Sequence, residues 1–175
     1  MVETPTNIIL VGPMGAGKST LGRHLSLLLK RPFYDSDKVI EEKTGADIPW
    51  IFEKEGESGF RDREAAVIDE LTRLSGIVLA TGGGAVLRPE NRKNLHDRGV
   101  VFYLQTPVEL QLARTKSDRN RPLLQRPDRK EVLERLLAER DVLYRETAHY
   151  VISTASNNLK KVIGQVMTCL DEAEN

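Results

Sequence analysis

Ile8-Ile9-Leu10-Val11-Gly12-Pro13-Met14-Gly15-Ala16-Gly17-Lys18-Ser19-Thr20 is the stretch whose reading decides the fold. Its first four residues form an apolar run that reads as a buried strand. Gly12 to Ser19 follows the pattern Gly-x-x-x-x-Gly-Lys-Ser, and Leu21, Leu25, Leu28 and Leu29 then recur at helical spacing. Strand, glycine-rich loop and helix, in that order, are the context a phosphate-binding loop requires. The glycines let the loop curl so that successive N–H groups point at phosphate oxygens. The helix N-terminus adds a favourable field for an anion. Lys18 supplies a point charge for the β- and γ-phosphates, and Ser19 a hydroxyl for Mg2+. The stretch implies a chain that binds a nucleoside triphosphate, with Gly15, Ala16, Gly17 and Thr20 among the nucleotide-binding residues.

Where the phosphoryl group goes is narrowed by size and charge. The 175 residues suit one domain, 1–175, with a central sheet and helices on both faces. The 26 basic and 26 acidic residues cancel, so no global basic field favours nucleic acid. The single cysteine, Cys169, excludes an intramolecular disulfide and a multi-cysteine metal site. It falls on an apolar helical stripe with Val162, Val166 and Leu170, and reads as a buried structural thiol. Met1 to Thr6 carries no signal-peptide apolar core, and no run approaches a membrane span. A cytoplasmic chain without a membrane partner is expected. With no long heptad and no exposed apolar strand, monomer is the default.

Strand and helix signals alternate along the chain, which argues a mostly five-stranded parallel sheet in a three-layer α/β/α arrangement. Arg31–Asp35, Gly76–Ala80, Val100–Leu104 and His149–Ile152 read as the further strands. Helices are expected at about 37–45, 47–72, 89–98, 107–116, 128–146 and 159–170, with Gly45 and Gly56 as punctuation. Residues 117–127 hold two prolines and little periodicity, and read as a mobile loop. Ligands of such sheets bind at the carboxyl ends of the strands. The informative residues cluster there: the loop after strand 1, Asp35 and Asp37 after strand 2, and Gly82-Gly83-Gly84 after strand 3.

Each cluster has a chemical reading and a plainer one. Asp35-Ser36-Asp37 suits a helix cap. Two carboxylates beside a phosphate-binding loop also suit Mg2+ binding and the orientation or deprotonation of an acceptor hydroxyl. Gly82-Gly83-Gly84 makes a tight turn, and equally lets a ligand approach backbone N–H groups. Arg61 reads either as a solvated helix charge or, beside Phe60, as an inward-facing one. Lys116 to Leu124 carries Arg119 and Arg121. On a phosphate-loop enzyme an arginine-bearing flexible loop suits a lid that neutralises transition-state charge and excludes water.

Taken together, these motifs resemble the shikimate kinase family of small P-loop kinases, from Ile8 to about Tyr150. Phe33-Tyr34-Asp35-Ser36-Asp37 resembles the family's Asp-x-Asp, which implies Asp35 near Mg2+ and Asp37 at the substrate hydroxyls. Gly59-Phe60-Arg61-Asp62-Arg63-Glu64 is similar to its substrate segment, within a helical region of about 37–72, and implies that Arg61 binds a carboxylate. Thr81-Gly82-Gly83-Gly84-Ala85-Val86 resembles its glycine motif and implies substrate contact at the backbone of Gly82, Gly83 and Gly84. Arg119 to Leu124 resembles its lid, about 117–126, with Arg121 at the phosphates and Arg114 near the adenine end. Glu139-Arg140-Asp141-Val142-Leu143-Tyr144 resembles its Arg-x-x-x-Tyr segment and implies Arg140 as the second carboxylate ligand. Thr154 to Asn158 is the weakest match, and the adenine contacts there stay open.

The implied activity is transfer of the γ-phosphoryl group of ATP to shikimate, a cyclic triol carboxylate, with Mg2+. The residues suit that acceptor. Guanidinium forks of Arg61 and Arg140 match a carboxylate. Asp37 suits a diol, and Phe52 and Phe60 can wall a ring. Lys18, Asp37 and Arg121 are the expected catalytic residues. Two rival readings are a P-loop kinase for another polyol acid such as gluconate, and a nucleotide-binding module without turnover. The first is disfavoured by Asp35-Ser36-Asp37 together with the triple glycine. The second is disfavoured by the intact set of Lys18, Ser19, Asp37 and Arg121.

Overall fold

A computed structural model describes residues 6–116 and 127–174. The segment assigned to a lid, with Arg119 and Arg121, lies outside the described residues. Chain order is β1 (Asn7–Val11), α1 (Lys18–Leu29), β2 (Phe33–Asp35), α2 (Ser36–Thr44), α3 (Ile48–Thr72), β3 (Val78–Ala80), α4 (Pro89–Asp97), β4 (Gly99–Gln105), α5 (Val108–Thr115), α6 (Arg129–Thr147), β5 (Tyr150–Ser153) and α7 (Leu159–Glu174). The strands form one parallel sheet in the order β2-β3-β1-β4-β5.

β1 is apolar throughout because both of its faces are covered. Ile9 and Val11 enter one core with Leu79, Val101 and Tyr103, under α2, α3, α4 and α6. Ile8 and Leu10 enter the other with Val78, Phe102 and Leu104, against α1 and α7. The period-two alternation of a strand thus divides a single apolar run between two cores. This gives the three layers expected from the sequence.

Local departures have local causes. Leu28 was expected on the buried stripe of α1 but is exposed, as is Leu27, whereas Leu21 and Leu25 are buried. Gly22 completes that stripe because the Phe33 ring lies where a side chain would be. The helix expected from Pro107 starts at Val108, with Pro107 as its N-cap. Cys169 is half-buried at the edge of its core rather than enclosed. α3 leaves helical geometry at Gly56 (φ 71°) and resumes beyond it. Arg63 spans that break with a bidentate contact to Glu55, at 2.6 and 2.8 Å.

The amino ends of the strands are tied together by one buried side chain. Asn7 Nδ2 donates to the carbonyls of Leu74 (2.7 Å) and Arg98 (3.2 Å), and Asn7 Oδ1 accepts from the N–H of Ile77 (3.0 Å). One amide therefore fixes the exit of α3, the approach to β3 and the approach to β4. The Asn7→Ala variant strands a buried donor and buried acceptors and should lose about 3 kcal/mol of stability. That corresponds to a fall in Tm of roughly 6–12 °C. Nucleotide affinity should be unchanged, because the phosphate loop sits at the other end of β1. Calorimetric melting with a parallel nucleotide-binding titration checks both.

Candidate active site

The carboxyl ends of the adjacent strands β1, β3 and β2 open side by side, and the expected residues gather around them. After β1 the phosphate loop turns into α1 through Gly17, whose φ of 87° favours glycine. Lys18 is buried, and its Nζ donates to the carbonyls of Gly12 (2.6 Å) and Pro13 (2.8 Å). The ammonium is thereby held against the inside of the loop it serves.

Ser19 and Asp35 meet across the site, the hydroxyl donating to Asp35 Oδ2 at 2.6 Å. The other carboxylate oxygen of Asp35 caps α2, accepting from the N–H groups of Asp37 (3.0 Å) and Lys38 (3.4 Å). The capping and chemical readings of this segment therefore divide between oxygens of one residue. Asp37, in the first turn of α2, is not the cap. Ser36, fully buried, accepts from the N–H of Gly82 at 3.1 Å and ties the end of β2 to the glycine loop.

The three glycines differ in what they make room for. A methyl group on Gly82 would lie 2.7 Å from Asp37 Oδ1, and one on Gly84 would fall inside the Arg61 guanidinium. Gly83 has space, its nearest neighbours being the Met14 N–H (3.5 Å) and Arg140 Nη1 (3.6 Å) from the position of such a methyl. Gly82 and Gly84 thus admit Asp37 and Arg61 to the site, and Gly83 lies between the phosphate loop and Arg140. The Tyr144 hydroxyl fixes that loop from below, donating to the Gly83 carbonyl at 2.6 Å. Tyr144 is fully buried against Tyr103 (ring centroids 4.9 Å apart), and burial pushes its phenol up to about 12.

Arg61 from α3 and Arg140 from α6 are both buried, with 9% and 5% of their surface exposed. The two Nε atoms have no hydrogen-bond partner among the described residues. Arg61 Nη1 donates to Glu64 Oε1 at 2.9 Å. Glu64 is fully buried, and desolvation pushes its carboxyl up to about 7 against the opposing pull of Arg61. Phe52 and Phe60 pack 4.9 Å apart beside this pair.

On the other side of the phosphate loop, Gly15, Gly17, Thr20, Arg114, Thr154 and Asn157 line a cleft of about 460 Å³. Arg114 donates to the Gly15 carbonyl (3.0 Å) and to Asn157 Oδ1 (2.6 Å). Partial burial lowers its pKa from the ordinary arginine value, although a guanidinium remains charged. The weakly matched segment 154–158 is thereby placed at the nucleotide side.

The sequence gives Glu64, Tyr144 and Asn157 no individual role. The signal for Glu64 was present, because Arg and Glu three apart share one helix face. Its burial was not visible.

A parallel sheet with a phosphate loop after its first strand thus carries a cleft on one side of that loop and a pocket of buried arginines on the other. The family model described as "Shikimate kinase" matches residues 14–171. The chain is 58% identical over 166 residues to a shikimate kinase of Photobacterium profundum, covering 95% of each chain. It is 60% identical over 168 residues to one of Acinetobacter baumannii, covering 94% of this chain and 93% of the relative. The structure of an Acinetobacter baumannii shikimate kinase in complex with shikimate superposes with a TM-score of 0.94 at 56% identity, covering 98% of this chain and 96% of that one. The chain belongs to the shikimate kinase family.

The Gly84→Ala variant should force the Arg61–Glu64 pair out of its place and lower stability by about 1–3 kcal/mol. Gly83→Ala, with ordinary contact distances around it, should stay within about 0.5 kcal/mol of the parent. Urea titration of the two variants distinguishes them.

Proposed function

We propose that the chain transfers the γ-phosphoryl group of ATP to the 3-hydroxyl of shikimate, giving shikimate 3-phosphate and ADP, and that the residues assembled above carry the reaction. The observation that most favours this is the pair of buried arginines, Arg61 and Arg140, whose Nε donors are unmatched among the described residues. Unmatched buried cationic donors fit a carboxylate that completes them.

The acceptor carboxylate would sit against Arg61 and Arg140, its ring against Phe52 and Phe60, and its reacting hydroxyl at Asp37. The glycine loop lies between that pocket and the phosphate loop, so acceptor and nucleotide meet near Gly83. Asp37 accepts the proton as the acceptor oxygen bonds to phosphorus. The bond from phosphorus to the β-bridging oxygen breaks, and Lys18 counters the charge that moves onto the phosphates. Arg121, outside the described residues, is assigned to the same charge on sequence alone. Arg114, with Asn157, would close the adenine end of the cleft.

Ser19 and Asp35 offer hard oxygen donors at 2.6 Å from one another, and this donor set fits Mg2+. Groups of three or more acidic, histidine or cysteine ligands are absent among the described residues, in keeping with a metal held largely by phosphates and water. When bound, the ion neutralises phosphate charge. The reading also takes the chain as one kinase domain, acting as a monomer in the cytoplasm. Among the described residues no helix is long and apolar enough to cross a membrane.

Arg61→Ala and Arg140→Ala should each weaken shikimate binding by roughly 2–4 kcal/mol with ATP binding nearly unchanged, because each removes one partner of a desolvated charged contact. Calorimetric titration with each ligand tests this, and equal damage to ATP binding would remove the arginines from the acceptor side.

Asp37→Asn keeps the side-chain shape and leaves the helix cap, which belongs to Asp35, untouched. Loss of the proton acceptor should lower kcat on the order of a hundredfold. A coupled ADP-release assay in which kcat barely changes would exclude Asp37 from the proton transfer.

A further inference from the structure

Glu64 is a fully buried carboxyl to which the proposed phosphoryl transfer assigns no step. It lies one helical turn beyond Arg61 on α3. Its Oε1 accepts from Arg61 Nη1, and its Oε2 has no partner among the described residues. A proton on Oε2 therefore breaks no hydrogen bond in the structure.

The charged and titratable groups that act on it come from three helices. Arg61 is on its own helix, Asp37 is on α2, and Arg140 and the Tyr144 phenol are on α6. Glu57, exposed on the same helix, also reaches Arg61 Nη2 at 3.5 Å, where water screens its charge; apart from it, Arg61 and Arg140 formally balance Asp37 and an ionised Glu64. An acceptor carboxylate bound between the arginines adds a third negative charge to two positive ones, in a space where solvent screens little. Asp37 is half-buried and open to that screening, whereas Glu64 is fully enclosed.

We infer, on the reading of the site as a shikimate pocket, that binding of the acceptor carboxylate to Arg61 and Arg140 drives a proton onto Glu64 Oε2. Glu64 is thus a positioning residue: once protonated it still accepts from Arg61 through Oε1 but no longer offsets the guanidinium charge, which is left to the substrate. Burial holds this carboxyl near neutrality, at about 7, before any acceptor is present. The sign follows from linkage. Well below that value Glu64 is already neutral, binding takes up no proton and affinity is greatest. Above it the free protein carries a carboxylate that must be protonated on binding, so affinity falls by up to about tenfold per pH unit.

The test is calorimetric titration of the full chain with shikimate at pH 6, 7 and 8, each in two buffers of different ionisation enthalpy. Nucleotide is omitted, so that phosphate titration does not contribute. Proton uptake should be near zero at the lowest pH and approach one per shikimate at the highest. Glu64→Gln keeps an oxygen for Arg61 but does not titrate. It should abolish the uptake and flatten the pH dependence of Kd.

A purely structural role for Glu64 would change affinity by the same factor at every pH and leave the uptake intact, which overturns the inference. Binding by the parent chain without proton uptake at the highest pH overturns it even if the variant fails to fold. Absence of any shikimate binding overturns the reading of the site itself, and the inference with it.

Discussion

Two guanidinium groups taken out of water impose conditions on everything around them. A buried cation is tolerated only where its donors are answered and its charge is balanced. Arg61 meets that condition in part through Glu64 and Glu57, its Nε staying unmatched among the described residues, and the space it needs comes from the missing side chain of Gly84. Arg140 is enclosed beside Tyr144, which in turn fastens the Gly83 carbonyl. The glycine loop is therefore shaped by what is beneath it as much as by what binds above it. A triple glycine is often read as a surface a ligand can approach. Here two of the three residues are small because protein side chains occupy the adjoining volume.

The division of labour along the strands is plain in this light. The amino ends are tied together where Asn7 joins three segments through one amide. At the carboxyl ends, by contrast, Arg61, Arg140 and Glu64 each keep a buried polar atom without a partner among the described residues. Membership of the shikimate kinase family fits this arrangement, since such an enzyme must hold a nucleotide and a small acid in adjoining pockets without supplying a covalent group of its own.

Much of this was legible in the sequence because it depends on short-range pattern. The phosphate loop, the continuous apolar run of β1 and the residues Asp35, Asp37 and Arg61 all declare themselves within a few positions. What stayed hidden depends on distant partners. Leu28 has the right spacing for a core position, but the helix rotates it to solvent. The double use of Asp35 needs Ser19, sixteen residues earlier, to be visible. Glu64 looks like any helix-surface acid until α2 and α6 close over it. Asn157 acquires meaning only when α5 brings Arg114 against it.

The interruption of α3 at Gly56 has a consequence for how such a pocket could diversify. Phe52 stands before the break, and Phe60, Arg61 and Glu64 stand after it. The exposed bridge between Glu55 and Arg63 joins the two halves, but they do not share a continuous hydrogen-bonded ladder. Of the two packed rings, Phe52 is therefore mounted on a piece separate from Arg61, while Phe60 shares the piece of the arginine. A change of ring size at position 52 is carried on a different helical segment from Arg61 and reaches it only through the Phe52–Phe60 contact. The segment that carries Arg61 and Glu64 is in this sense a chassis, and position 52 a replaceable face set against it.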